Sequence, residues 1–231
     1  MKYFFCFHLI LLFHIPIVAQ DSLVKRELDI NRYLEDQFYI GVTYDILANK
    51  PSQVSQNNLS RGIQIGYIRD LPLNIDRNRG FGIGLGYANH SYFSNMGASI
   101  NNGDVIYEII DTNEAGFRRN KLALHAIEMP LELRWRTSNA ESHRFWRIYS
   151  GVKLSYVFSG KSKWITEGIK INFNNEDIQK WNYGIYLSVG YNTWNFYAYY
   201  GLNSFFKENT LLEGEQIELQ SFQLGLMFYI L

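Results

Sequence analysis

Apolar and polar residues alternate along eight segments of the chain, and this period of two constrains the fold more than any other feature. From Ile127 to Trp135 every second residue is apolar, and the residues between them are charged apart from one proline. Such alternation is typical of β-strands whose two faces meet different surroundings. The segments are residues 38–46, 62–68, 81–88, 125–136, 146–158, 183–191, 194–202 and 222–230.

The connections between these segments alternate in length. The short ones are residues 69–80, 137–145 and 192–193, and the long ones are residues 47–61, 89–121, 159–181 and 204–220. Barrels of the outer membrane have tight turns on the periplasmic side and longer loops outside. The pattern therefore predicts an all-β chain, folded as an eight-stranded antiparallel up-and-down transmembrane β-barrel with both termini in the periplasm.

Glycines fall on the polar face of the segments and indicate which face is inside. Gly41, Gly66, Gly86, Gly184 and Gly225 all have this parity. Glycine weakens a solvent-exposed strand and suits a position where space is tight. The interior of an eight-stranded barrel is only wide enough for side chains to fill. The polar face is therefore expected to line a crowded lumen, and the apolar face is expected to contact lipid.

Aromatic residues of the apolar face collect at two heights, with aliphatic residues between them. Two aromatic rings that bound an aliphatic band are typical of the two membrane interfaces. A soluble barrel with an apolar lumen is the alternative, but it has no reason to sort its aromatic residues by height. The predicted girdle residues are Trp135, Trp146, Tyr191, Trp194 and Phe228 on one rim, and Tyr44, Tyr87, Phe158 and Tyr183 on the other.

The N-terminal residues predict a secretory signal peptide over residues 1–19. Lys2 precedes an apolar run, and Ala19 precedes polar residues. Residues 20–36 are expected to form a periplasmic lead-in and residues 37–231 the barrel, in the outer membrane of a Gram-negative bacterium. The one cysteine, Cys6, lies in the predicted signal, so no disulfide is expected. An uncleaved membrane anchor is the alternative for this segment.

Charged residues on the polar face are predicted to fill the lumen. Because the fourth and fifth segments are neighbours, Glu128 and Glu132 can face Arg147 and Lys153. An unpaired buried charge is costly, so a plug of ion pairs is expected, and a gated polar path is the alternative. The predicted network is Glu128, Glu132, Arg134, Arg136, Arg147 and Lys153.

Three stretches match one family of barrels. The fourth segment has the form I-x-x-P-L-x-L-x-aromatic over residues 127–135, residues 200–203 read YGLN, and residues 222–226 read FQLGL. With the signal peptide and eight segments, the chain resembles the PorT-type outer-membrane β-barrel family of Bacteroidota over nearly its whole mature length. Such barrels often end on an aromatic residue, whereas this chain ends in Tyr-Ile-Leu. The resemblance implies an association with type IX secretion, with which the namesake of the family is linked.

Catalytic, cofactor and metal sites are not expected. Lys+Arg and Asp+Glu both total 22, so no charge excess points to nucleic acid. The glycines of residues 80–86 miss the dinucleotide-binding spacing. We expect a monomeric, non-enzymatic barrel whose partners are outer-membrane lipid and envelope or secretion proteins. One alternative is a soluble barrel for a small apolar ligand, and the other is a lipid-modifying enzyme that uses His90, His125, Ser91, Ser94, Ser99, Asp104 and Asp111.

Two local features also follow from the sequence. Residues 101–104 (NNGD) are a turn signal between alternating residues, so a hairpin is expected to project from the long segment 89–121. Pro130 has no N–H to donate, so a bulge or an inward-facing gap is expected where it lies.

Overall fold

The alternating segments form antiparallel strands. The computed structural model describes residues 36–56, 58–74, 76, 78–137 and 145–230. In chain order the strands are β1 (Gln37–Ala48), β2 (Arg61–Pro72), β3 (Arg79–Phe93), β4 (Met96–Asn101), β5 (Asp104–Ile109), β6 (Arg119–Arg136), β7 (Trp146–Thr166), β8 (Ile169–Asn174), β9 (Trp181–Tyr191), β10 (Trp194–Gly201), β11 (Leu211–Leu212), β12 (Glu215–Gln216) and β13 (Gln220–Ile230).

Eight of these strands close into a barrel in the order β1, β2, β3, β6, β7, β9, β10 and β13. The first and last strands complete the circle, with Phe38 opposite Ile230 and Ala48 opposite Gln220. The predicted eight-stranded up-and-down barrel is thereby confirmed. The predicted signal peptide, and the lead-in up to residue 35, lie outside the described residues. No helix in the described part of the chain is long and apolar enough to cross a membrane.

Burial alternates along the barrel strands as the sequence predicts. In β9 the odd-numbered residues are exposed or half-buried and the even-numbered residues are buried. The glycines of the buried face leave room for large lumen side chains. A Cβ atom added to Gly66 would lie 2.6 Å from three atoms of the Tyr39 side chain. The glycine-rich face is therefore the inner face, and its small residues accommodate rings from neighbouring strands, since Tyr39 is paired with Gly66.

The hairpin predicted within the long segment 89–121 is present. Strands β4 and β5 pair from Met96 opposite Ile109 to Asn101 opposite Asp104. Asn102 and Gly103 connect them with φ values of 53° and 98°, and the tight two-residue hairpin turn needs positive φ at both of these positions. β11 and β12 join the hairpin to make a four-stranded sheet above the barrel.

Pro130 lies in the lumen, and the pairing between β3 and β6 is interrupted beside it. The register runs from Ile83 opposite Leu131 to Gly86 opposite Glu128, and no pair is formed between them. On the other side Pro130 stays in register with Lys153. The gap expected at the proline is confirmed, whereas the bulge of β6 and β7 lies between His125 and Ala126.

Three barrel strands extend at the loop end by at least five residues beyond the predicted segments. β3 continues to Phe93, β6 begins at Arg119 and β7 continues to Thr166. The predicted strands ended early because the polarity of the two faces inverts. In β6 the inward residues are apolar at Leu124 and charged at Glu128, and the outward residues are charged at Lys121 and apolar at Ile127. A pattern of fixed parity therefore stops where the strand leaves the membrane.

The inverted part of the strands surrounds an apolar core at the loop end of the barrel, which we call the apolar plug. Strand ends and long loops both contribute to it. Tyr107 of the hairpin donates a hydrogen bond to Asn175 (3.0 Å) and packs edge-on against Phe206, and its burial raises its pKa above the usual value. The plug residues are Leu47, Val54, Tyr92, Met96, Ala98, Tyr107, Leu124, Ala126, Val157, Ile178, Phe205, Phe206, Leu212, Ile217 and Leu219.

Candidate functional site

The inner wall of the barrel carries equal numbers of opposite charges. Among the described residues, the acids Asp45, Asp70, Glu128 and Glu132 and the bases Arg134, Arg136, Arg147 and Lys153 are buried, each with at most 3% of its surface exposed. Charges that are buried this deeply are stable only when they are paired and hydrogen-bonded. The equal numbers allow the lumen to be neutral without a bound ion.

One set of these charges, which we call the outer cluster, lies on the side of the apolar plug. It consists of Asp45, His90, Glu128 and Lys153. The Lys153 ammonium lies 2.9 Å from the Glu128 carboxylate, across the pair of strands for which the sequence predicts it. His90 Nδ1 lies 2.7 Å from Asp45, and its Nε2 lies 4.0 Å from Glu128. The imidazole therefore lies between two carboxylates from different strands.

Lys153 is the most completely satisfied of these groups. Besides Glu128, its ammonium donates to the side-chain oxygen of Gln64 (2.6 Å) and to the hydroxyl of Tyr197 (2.7 Å). The ring centroids of Tyr197 and Tyr199 lie 5.1 Å and 5.3 Å from the ammonium nitrogen, within the range of cation–π attraction. One cation therefore connects the walls on opposite sides of the lumen.

The other set, which we call the inner cluster, lies nearer the short turns and consists of Asp70, Glu132, Arg134 and Arg136. Arg134 donates to Glu132 (2.6 Å) and to Asp70 (3.1 Å), and Arg136 donates to the second oxygen of Asp70. Glu132 thus takes its cation from its own strand, and its other oxygen accepts from the hydroxyl of Tyr186. The remaining predicted base, Arg147, lies with its guanidinium 4.5 Å from the centre of the Phe145 ring.

Tyrosines occupy most of the space between the two clusters. Their rings pack against one another and against the cations, and Arg134 lies 4.6 Å from the ring centre of Tyr149. The cavity that remains among them is about 10 Å³, and the one inside the apolar plug is about 20 Å³. A cavity of 10–15 Å³ holds about one water molecule. The lumen tyrosines are Tyr39, Tyr149, Tyr186, Tyr197, Tyr199 and Tyr229.

The predicted girdle residues lie on the outside of the barrel. On the short-turn rim, Trp146 is opposite Tyr191, Tyr191 is opposite Trp194, and Trp194 is opposite Phe228. This row spans four strands, and its ring centroids are 5.6 Å apart at Trp146–Tyr191 and 4.8 Å apart at Trp194–Phe228. Trp135 of β6 is exposed on the same rim.

The rim beside the loops is aromatic as well. Tyr44, Tyr87, Phe158 and Tyr183 are all exposed on the outer face, and the rings of Tyr87 and Phe158 are 6.4 Å apart. Trp181 also belongs to this rim, although the sequence prediction omitted it because the predicted strand began two residues later.

Asp70 and His90 are lumen residues that the sequence prediction did not place in the charge network. Asp70 was assigned to a turn, but β2 continues to Pro72 and so brings its carboxylate inward. His90 was assigned to a loop, but β3 continues to Phe93. In both cases the parity of the preceding strand, continued for a few residues, would have found the inward position.

The residues of the enzyme alternative are not brought together. His90 points into the lumen toward Asp45, whereas His125 lies on the outer face against the hydroxyl of Tyr87 (2.7 Å). Ser91 and Ser94 are buried, and Asp104 and Asp111 are exposed in the loop region. In the described part of the chain, no group of three His, Cys, Asp or Glu residues could hold a metal ion.

Comparison with known proteins gives a family and similar structures. A family model described as outer membrane protein beta-barrel domain matches residues 18–207. The crystal structure of Ail, the attachment invasion locus protein of Yersinia pestis, is 12% identical, with 84% of this chain and 97% of that chain covered and a TM-score of 0.40. The structure of the same protein with the heparin analogue sucrose octasulfate is 11% identical, with the same coverage and a TM-score of 0.34.

The comparison with curated proteins returned no match. The family model covers well over half of the chain, and its description agrees with the closed barrel, the lipid-facing apolar band and the aromatic rims. These observations locate the protein in the outer membrane of a Gram-negative bacterium. The chain belongs to the outer membrane protein beta-barrel domain family.

Proposed function

We propose that the protein is a non-conducting, non-enzymatic outer-membrane barrel that holds an ordered set of surface loops for a partner protein of the envelope. The observation that carries this proposal is the double closure of the barrel. The lumen is filled by paired charges and tyrosines, and the apolar plug covers its loop end. A barrel that passes solutes would have an aqueous path through both the lumen and its loop end.

The four-stranded outer sheet offers a surface that a partner could bind. Its buried face contributes Tyr107 and Leu212 to the apolar plug, while Ile106 (43% exposed) and Leu211 (52% exposed) point into solvent. Exposed aliphatic side chains on a solvated sheet are typical of interaction sites when acidic or polar residues surround them. Acidic residues of this kind are present at Glu108 and Glu213.

The kind of partner follows from the family resemblance. The chain resembles PorT-type barrels, and the proposed role is accordingly within an assembly for type IX secretion or for the envelope. A filled barrel suits such a role because it gives a rigid anchor in the membrane. The proposal rests on the resemblance for the pathway and on the closed lumen for the absence of transport.

The closed lumen makes a prediction for electrical recording. The purified protein, inserted into planar bilayers, is expected to show no steady conductance. The cavity among the lumen tyrosines is only about 10 Å³, and the cavity inside the apolar plug is only about 20 Å³. A porin inserted under the same conditions serves as the positive control. Stable single-channel steps from the wild-type protein would exclude the proposed closed state.

The outer sheet makes a prediction for crosslinking in native membranes. The double variant Ile106→Ser/Leu211→Ser removes the exposed aliphatic pair and leaves Tyr107 and Leu212 in the apolar plug. It is expected to lose the protein species that crosslink to the wild type. Ile169→Ser is the matched control, since Ile169 is equally exposed (52%) but lies on β8. Equal recovery of the same species with all three proteins would count against the outer sheet as the binding surface.

A further inference from the structure

Five cations lie together on the outer surface of the barrel wall, beyond the rim beside the loops. On the opposite face of β6 and β7, side chains point into the barrel and form hydrogen bonds there. Asn120 donates to the backbone oxygens of Ser94 and Met96, and Ser162 accepts from Asn175. Successive residues of a strand point to opposite faces, so the chain neighbours of Asn120 and of Ser162 point outward. We call this surface the basic belt, which consists of Arg61, Arg119, Lys121, Lys161 and Lys163.

The strand register brings like charges into contact range. Lys121 lies directly opposite Lys163 on the neighbouring strand. The pKa of Lys121 is lowered from its usual value. Burial is the largest cause, and the nearby cations Arg119, Lys163 and Arg61 add to it. Like charges that face each other across two strands destabilise the sheet. The arrangement is therefore unfavourable unless an anion lies among the cations.

No anion of the described part of the chain takes this place. None of the five cations forms an ion pair with a described carboxylate. Of the acids nearest in sequence, Glu167 lies beside Gly116, in the turn after β7, and Glu114 is in the loop before β6. The segments that flank the belt supply Asn89, Asn172 and Asn174, which are uncharged. The belt is thus a net positive surface.

Two small residues lie at the centre of the belt. Arg61, Ser91, Ala123 and Lys161 lie in register across four neighbouring strands. The two small residues in the middle are buried, at 7% and 8% exposed, between the longer cationic side chains. Neighbouring strands are about 4.8 Å apart, so the two cations at the ends are roughly 14 Å apart at the backbone.

The height of the belt matches the headgroups of the outer leaflet. Tyr87 and Phe158 mark the outer membrane interface, and Ser91 follows Tyr87 by four residues in the same strand. Four residues correspond to ~13 Å along the strand, or about 9 Å in height for a tilted strand. Long cationic side chains at this height reach the polar headgroups beside the aromatic ring.

We propose that the basic belt binds the phosphate groups of a phosphorylated glycolipid of the outer leaflet. Phosphate oxygens accept charge-assisted hydrogen bonds from arginine and lysine and neutralise the repulsion between Lys121 and Lys163. This binding would fix one lipid to one side of the barrel, over β2, β3, β6 and β7. It is independent of whether the outer sheet binds a partner protein.

The test uses the full-length mature protein in zwitterionic detergent with lipid A as the probe. Binding is measured by native mass spectrometry over a lipid titration. The double variant Lys121→Gln/Lys163→Gln is expected to bind lipid A roughly 10- to 30-fold more weakly, from the contribution of each cation near an anionic surface. Without lipid its thermal unfolding is expected to match or exceed that of the wild type, because a repulsive pair is removed.

The control variant Lys180→Gln/Lys207→Gln loses the same charge from two exposed positions outside the belt and is expected to bind lipid A as the wild type does. Lipid A from which the phosphates have been removed is expected not to bind the belt. Equal weakening in both double variants would overturn the proposal, as would full binding of the dephosphorylated lipid. Inorganic phosphate that competes as strongly as lipid A does would also overturn it, since the site would then be one for free anions.

Discussion

Replacing Lys153 with methionine is expected to lower the free energy of unfolding by about 3–5 kcal/mol, the usual effect of removing one partner from a buried ion pair. The Glu128 carboxylate, 2.9 Å from the ammonium in the wild type, would stay buried without its cation. Gln64 and Tyr197 would also lose their donor. The measurement is urea unfolding in detergent, followed by the change in gel migration between folded and unfolded barrel.

Two variants show whether the pairing itself is responsible. The double variant Lys153→Met/Glu128→Gln removes both charges and is expected to recover a large part of the loss, because no ionised group is then left alone. Val152→Met changes the lipid-facing neighbour of Lys153 in the same strand and is expected to have little effect. If Lys153→Met were as stable as the wild type, the ion pair of Glu128 and Lys153 would not stabilise the barrel.

The replacement Phe206→Ala is expected to weaken the apolar plug by about 3–5 kcal/mol, as loss of a buried phenylalanine does. Phe206 is 4% exposed and packs edge-on against Tyr107, at 5.4 Å between ring centres. Because the plug is built from the loop end of the barrel, the loss should open the loops and leave the membrane strands folded. Limited proteolysis of the loops should accelerate, while heat-modifiable migration should be retained.

The control for this variant is Leu211→Ala, which truncates an exposed side chain in the same region and should change stability by no more than about 0.5 kcal/mol. Unchanged proteolysis of Phe206→Ala would show that the plug is not held by its apolar core. Loss of the folded barrel together with the loops would show instead that plug and barrel unfold as one unit.

The membrane part of the barrel could be predicted from the sequence because lipid imposes one parity on every strand. The apolar residues from Ile127 to Trp135 face outward, and Glu128 between them is held inward beside Lys153. The glycine at position 66 indicates the inner face by its size alone, since Tyr39 occupies the space next to it. These features are local in sequence and depend on side-chain size, polarity and period.

The rest of the fold depends on contacts that the sequence does not display. The apolar plug joins Tyr92, Tyr107 and Phe206, which are far apart in the chain and follow no common period. Asp70 and His90 lie where the membrane pattern has already ended, so their inward position follows only from the strand continuing. The choice of Arg134 as the partner of Glu132 depends on side-chain conformation.

The inversion of polarity along β6 has a consequence for how the barrel sits in the bilayer. If the barrel moved by two residues toward the periplasm, Lys121 and Lys163 would come closer to the hydrocarbon core. If it moved in the other direction, Trp135 and Trp146 would leave the periplasmic interface. Charged side chains near the bilayer centre cost about 2–4 kcal/mol each in such barrels, and the cost falls toward the interfaces. The polarity of the strand therefore fixes the depth of the barrel in the bilayer. The surface loops are thereby held at a constant distance from the membrane.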